Sequence, residues 1–169
     1  MELILISGLS GSGKSVALNL LEDAGYYCVD NLPVVMLTVL AGMLEEEKVS
    51  KVAVAIDARS GDGIELLPAK LDKLNENGIK VTFLFLFSNE ETLLKRYSES
   101  RRRHPLATTG QTLDEAIRAE RKLLEPIAMA AGLSLDTSNM NVHELRSVLR
   151  ERVLGRNTTG LSLLFVSFG

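Results

Sequence analysis

Gly8-Leu9-Ser10-Gly11-Ser12-Gly13-Lys14-Ser15 fits the pattern G-x-x-x-x-G-K-[ST] and stands between two recognisable runs. Before it comes Leu3-Ile4-Leu5-Ile6-Ser7, wholly apolar up to its last residue, as in a strand buried on both faces. After it, Val16 to Ala24 repeats apolar residues at helical spacing, and Gly25 supplies a C-terminal stop. Strand, glycine-rich loop and helix in that order are the context in which such a loop cradles phosphate. Glycines let the backbone turn tightly, so that successive N–H groups converge on phosphate oxygens. The helix N-terminus adds its partial positive charge at the same point. In this pattern Lys14 reaches the β/γ-phosphates and the Ser15 hydroxyl ligates Mg²⁺.

The rest of the chain alternates strand-like and helix-like stretches. Tyr26–Asp30 reads as a second strand, Val52–Asp57 as a third, Lys80–Phe87 as a fourth and Leu133–Leu135 as a fifth. Between them, Pro33 opens a helix over Val34–Leu44, apolar nearly all round, which is either deeply buried or an interaction surface. Leu67, Leu71 and Leu74 mark another helix, with Pro68 near its start. Ser88-Asn89-Glu90-Glu91 signals the capped start of a helix bearing Leu93 to Tyr97. Thr112-Leu113-Asp114-Glu115 caps a further helix, with Ile117, Leu124 and Ile127 on its apolar side and Pro126 kinking or shortening it. Asn141 to Glu144 begins the last helix. This alternation predicts an α/β fold of the P-loop NTPase type: a five-stranded, mostly parallel sheet with helices on both faces. An arginine-rich lid makes it kinase-like.

Composition excludes several classes. With 169 residues, 46% hydrophobic and 24% charged, the chain suits one globular domain. The one cysteine, Cys28, rules out an internal disulfide framework and fits a cytoplasmic protein; its apolar setting reads as a small buried hydrophobe. No stretch approaches the ~20 apolar residues of a membrane span. Two histidines and one cysteine give zinc no ligand set; His104 reads as a loop anchor and His143 as solvent-facing. Net charge is −3, yet Leu93–Lys122 holds eight Lys/Arg against four Asp/Glu. A local basic patch facing phosphate fits those totals better than a nucleic-acid-binding domain.

Candidate site residues follow from the strand ends. Asp57 closes the third strand where a carboxylate holds Mg²⁺ or its water. Asp30 closes the second, as general base, as a partner of the metal's water, or as a turn cap on the Pro33 helix. Lys95 and Arg96, then Arg101-Arg102-Arg103, follow strand four; the arginines offer guanidinium forks for polyphosphate, with Arg101 and Arg103 favoured over Arg102. Asp136-Thr137-Ser138 ends strand five, where nucleotide kinases often border the base.

Several of these stretches together resemble the RapZ/YvcJ family: the loop with Val16-Ala17-Leu18, then Tyr27-Cys28-Val29-Asp30-Asn31-Leu32-Pro33, Asp57-Ala58-Arg59-Ser60 and Arg101-Arg102-Arg103-His104-Pro105-Leu106. Leu124-Glu125-Pro126, Asp136-Thr137-Ser138 and Val142-His143-Glu144-Leu145 extend the resemblance over essentially the whole chain. It implies a kinase-like P-loop domain, residues 1–157, that binds ATP or GTP and hydrolyses it slowly with Mg²⁺. Its phosphate loop would be Gly8, Leu9, Ser10, Gly11, Ser12, Gly13, Lys14 and Ser15, and its guanine-nucleotide segment Asp57, Ala58, Arg59 and Ser60. Residues 158–169, a strand-like run, would be the start of a truncated C-terminal domain. RNA and RNase partners would come only through that domain. Two activities share this machinery: a regulatory nucleoside-triphosphatase, and a kinase phosphorylating a small metabolite. Only the phosphoryl acceptor separates them.

Overall fold

A computed structural model describes residues 1–61 and 63–155; the strand-like tail singled out above lies outside them. Five strands, β1 (Glu2–Gly8), β2 (Tyr27–Val29), β3 (Lys51–Ala55), β4 (Lys80–Phe87) and β5 (Leu133–Asp136), form one sheet in the order β2-β3-β1-β4-β5. Every described pairing is parallel. Among the described residues, α1 (Lys14–Asp23), α2 (Leu37–Glu46), α3 (Leu67–Glu76), α4 (Glu90–Ser100) and α5 (Leu113–Ala130) lie between the strands, and α6 (Val142–Leu149) follows β5.

The strands read as continuous apolar runs because both faces of the sheet are covered. Leu3 and Leu5 of β1, Val52 and Val54 of β3, and Phe83 and Phe85 of β4 point into one core with α2, α3 and α5. Their neighbours Ile4, Ile6, Ala53, Ala55, Leu84 and Leu86 point into the other, with α1 and α6. Each fully buried leucine or isoleucine contributes about 1.5–3 kcal/mol. β1 lies at the centre, and the chain leaves it toward β2 on one side before crossing to β4 on the other. The crevice beyond the C-terminal end of β1 is therefore the topological switch point of the sheet, where open α/β folds bind ligands.

Local chemistry moves several boundaries from their expected places. β2 is only Tyr27–Val29; Tyr26 is buried and donates its hydroxyl to Glu2 Oε1 at 2.9 Å. β3 ends at Ala55, two residues before Asp57. The helix expected over Val34–Leu44 starts as a 3₁₀ turn, Val34–Met36, and continues as α2 to Glu46. It is not deeply buried: Leu37, Ala41 and Leu44 face the core, while Val35, Met36, Val39 and Met43 are exposed. The α4 cap is Asn89 alone, accepting the Thr92 N–H at 2.8 Å; Ser88 is buried and engaged elsewhere. The capping boxes at Thr112–Glu115 and Asn141–Glu144 are both present. α5 runs unbroken through Pro126 to Ala130. Among the described residues no helix is long and apolar enough to cross a membrane.

Candidate functional site

Gly8–Ser15 links the C-terminal end of β1 to α1 and takes a glycine-favouring positive φ at Gly8 and at Gly13. Gly8 has φ +149°, and a Cβ there would lie 2.1 Å from the Leu86 carbonyl oxygen on β4. Gly13 has φ +110° and hands directly to α1 with no side-chain cap. The first N–H groups of that helix, on Lys14, Ser15 and Val16, have no intrahelical acceptor. All three residues line a cleft of about 570 Å³ at the switch point. Other N–H groups of the loop are already used. Leu9 donates to the Leu86 carbonyl, Ser12 to the Leu9 carbonyl, and Ser10 to Glu120. The N–H groups of Gly11 and of Lys14 to Val16, which these bonds do not use, belong to residues that line the cleft.

Lys14 folds back over this loop, its ammonium donating to the Gly8 carbonyl at 2.7 Å and the Leu9 carbonyl at 3.2 Å. Burial pushes its pKa below the ordinary lysine value, against the pull of Glu120, Asp57 and Asp30. Asp57 is 4% exposed and caps the 3₁₀ turn Ala58–Ser60 through the Arg59 N–H. The Arg59 guanidinium then grips both carboxylate oxygens, Nε donating to Oδ1 at 3.2 Å and to Oδ2 at 3.0 Å, and Nη2 to Oδ2 at 2.6 Å. Burial alone would raise the Asp57 carboxyl; the Arg59 hydrogen bonds and the Lys14 charge outweigh it, and its pKa is lowered. Asp30 is exposed and lines the same cleft. It does not cap the Pro33 turn, which has no side-chain cap. Of the segment Asp57–Ser60, Asp57 and Arg59 face the cleft. Ala58 is buried, and Ser60 donates to the Leu32 carbonyl at 3.2 Å.

The basic segment is arranged differently from expectation. Arg101 closes α4 in the left-handed conformation, φ +52°, and does not line the cleft; Arg102 and Arg103 do. The favoured pair Arg101 and Arg103 is thereby replaced by Arg102 and Arg103. An arginine forced into the C-cap position cannot follow the path of its neighbours. Arg96 also borders the cleft, but its guanidinium is committed. It donates to the Gly11 carbonyl and the Ser88 hydroxyl, both at 2.9 Å, and to Thr137. Burial lowers its pKa. Thr137, buried, donates to the Ser12 carbonyl at 2.8 Å, so the end of β5 braces the loop.

Glu120 was not singled out from the sequence, and it is the most enclosed charge described. Fully buried on α5, it accepts the Ser10 N–H at 3.1 and 3.0 Å and the Ser10 hydroxyl at 2.6 Å. It also meets His104 Nε2 at 2.9 Å, and His104 Nδ1 accepts the Leu106 N–H at 3.1 Å. The histidine thus anchors its loop. Tyr97, its ring 5.3 Å from that of His104, has its pKa pushed up to about 12 by burial. A signal existed: Glu120 sits between Ile117 and Leu124 on the apolar side of its helix, where an unpaired charge is almost never found.

A parallel sheet with a glycine-rich loop at its central strand, an uncapped helix start and a lysine across it defines a P-loop, kinase-like fold. The chain belongs to the family described as the RapZ-like N-terminal domain, which matches residues 1–157. It is 73% identical over its full length to a protein of Dechloromonas aromatica (strain RCB), and 50% identical to one of Halorhodospira halophila (strain DSM 244 / SL1). Both are called "Nucleotide-binding protein". It spans about 60% of the length of each. Among solved structures, the shikimate kinase of Acinetobacter baumannii in complex with shikimate shares the fold with a TM-score of 0.61 at 17% identity. The match covers 93% of this chain and 95% of that one.

Proposed function

We propose that this chain is a regulatory nucleotide-binding module that holds ATP or GTP with Mg²⁺ in the switch-point cleft and hydrolyses the γ-phosphate slowly. The observation that carries this reading is the convergence of free α1 N–H groups, Lys14 and the cleft-facing Arg102 and Arg103 on one volume beyond β1. The names of its close relatives point the same way.

Phosphate oxygens would lie against Gly13, Lys14 and Ser15, with Lys14 leaving its loop carbonyls for the β/γ-phosphates. A hydroxyl and a carboxylate, Ser15 and Asp57, are hard-oxygen donors of the kind Mg²⁺ takes alongside phosphate and water. Bound there, the metal would neutralise charge on the transferring phosphoryl group. Asp57 serves that role only when Arg59 lets go of it. Among the described residues no cluster of three or more His, Cys, Asp or Glu forms a metal site by itself, which suits an ion that depends on the nucleotide. Asp57 and Arg59 interact with Lys14, at the phosphate end of the cleft, which favours a metal or phosphate role for them over reading a guanine base. Slow turnover is expected, because Asp57 is tied to Arg59. Asp30, the remaining candidate base, stands exposed at the cleft's rim.

A second reading, phosphoryl transfer to a small metabolite, is favoured by one feature. Asp30 and Arg59 line the same cleft and offer a base and a cation suited to a hydroxylated, anionic acceptor. We take the protein to be cytoplasmic, and RNA or RNase partners to engage the full-length protein through regions beyond this domain. γ-Phosphate release from Mg-ATP and Mg-GTP, with and without a phosphosugar panel, tests the assignment. Slow release unaffected by the panel supports the regulatory module, and acceleration by one acceptor makes the protein a kinase.

A further inference from the structure

Resting on the nucleotide reading above, we infer that Glu120 is a positioning residue that couples the phosphate loop to the arginine segment, so that phosphate bound at the loop is felt at Arg102 and Arg103. The carboxylate is bonded to both parts. On one side it takes the N–H and hydroxyl of Ser10, the residue immediately before Gly11 in the loop. On the other it meets Nε2 of His104, the residue immediately after Arg103. Nδ1 of that ring accepts the Leu106 N–H, so it is Nε2 that carries a proton toward Glu120. Both side chains are fully buried, so each tie is made away from water, where losing it leaves an unsatisfied polar group. α5 itself supplies the rigid base, capped at Thr112 and seated in the core through Ile117, Leu124 and Ile127.

The geometry makes the carboxylate hard to replace. Three donors, the Ser10 N–H, the Ser10 hydroxyl and the His104 Nε2–H, converge on its two oxygens. A glutamine of the same size keeps one oxygen and presents an NH₂ group, a donor, to one of the two sides. Either the loop or the histidine then loses its tie while the packing volume stays filled. Because the Ser10 N–H is committed to Glu120, a shift of the loop on phosphate binding pulls directly on Glu120 and, through it, on His104 and the arginines beside it.

Limited trypsin digestion reads this coupling at Arg101–Arg103. In the unaltered protein, saturating Mg²⁺ with a non-hydrolysable ATP or GTP analogue should slow cutting there at least tenfold. In Glu120→Gln the same bonds should be cut faster without ligand, and the analogue should protect them less than twofold, even at concentrations that calorimetry shows to be saturating. Equal protection in Glu120→Gln and the unaltered protein overturns the inference. Should Glu120→Gln fail to fold by circular dichroism, His104→Phe, which breaks only the segment's tie, takes its place with the same criterion. Calorimetry of the unaltered protein separates the two claims: no binding of either analogue there defeats the nucleotide reading itself, whereas binding with undiminished protection in the variants defeats only the coupling.

Discussion

Arg59 holds Asp57 through both carboxylate oxygens, two residues along the same turn, with Nη2–Oδ2 at 2.6 Å. Asp57 is the carboxylate proposed above for Mg²⁺, and Arg59 donates to the two oxygens for which a metal would compete. Removing the guanidinium should therefore ease metal binding. Arg59→Gln is expected to lower the Mg²⁺ concentration at half-maximal nucleotide binding, measured by titrating Mg²⁺ at fixed analogue. An unchanged or raised midpoint would show that Asp57 does not meet the metal.

The same pair fixes a pH dependence. The Asp57 carboxyl has a folded pKa below its unfolded value of about 3.9. Its contribution to stability is complete above that unfolded value and is lost as pH falls through the lower folded one. Unfolding midpoints of the unaltered protein should drop as pH falls below about 4, and Arg59→Gln should lose less over that interval. Arg59 is half exposed, so solvent screening keeps the difference small. A steeper acid loss in the variant would contradict the assignment.

Two glycines of the loop should respond unequally to a methyl group. At Gly8 a Cβ would meet the Leu86 backbone oxygen at 2.1 Å, and backbone cannot yield. At Gly13 it would meet Leu145 Cδ2 at 2.5 Å, the end of a side chain that can turn aside. Gly13→Ala should destabilise by about 1–3 kcal/mol from positive φ and repacking. Gly8→Ala should cost more or prevent folding. Denaturant melts that rank the two the other way would contradict the loop geometry.

The sides of α2 should also separate. Leu37 and Leu44 are buried and Val39 and Met43 half exposed. Leu44→Ala should cost about 2–5 kcal/mol, whereas Val39→Ser and Met43→Ser should stay within about 0.5 kcal/mol in the monomer. Comparable losses on both sides, measured by urea unfolding at low protein concentration, would mean that the outer face is covered.

What the sequence disclosed and what it withheld divide along the range of the interactions. β1, β4 and the phosphate loop are written in contiguous residues, and the local caps at Thr112 and Asn141 are too. The sidedness of α2 was concealed because apolar residues occupy its outer face as well as its inner one. Arg96, Thr137 and Glu120 act on the loop from 85, 125 and 110 positions away, so that local patterns flagged Arg96 and Thr137 but not the loop contacts they make, and Glu120 showed only as a charge on an apolar helix side. Arg101 misled for a smaller reason. In a run of three identical side chains, only the helix end, which turns Arg101 into the left-handed region, decides which ones reach the cleft.

The central claim is that Lys14 and the start of α1 bind nucleotide phosphate. Titrating the unaltered protein and Lys14→Ala with Mg-ATP and Mg-GTP in a calorimeter tests it most directly. One charge-assisted hydrogen-bonding group is worth about 1.5–3 kcal/mol, so Lys14→Ala should weaken binding about 10–100-fold. Its loss frees only two loop carbonyls and should leave the fold intact. Binding by the unaltered protein and that weakening in a folded Lys14→Ala is the predicted result; equal affinity in both, or none in either, would contradict the account.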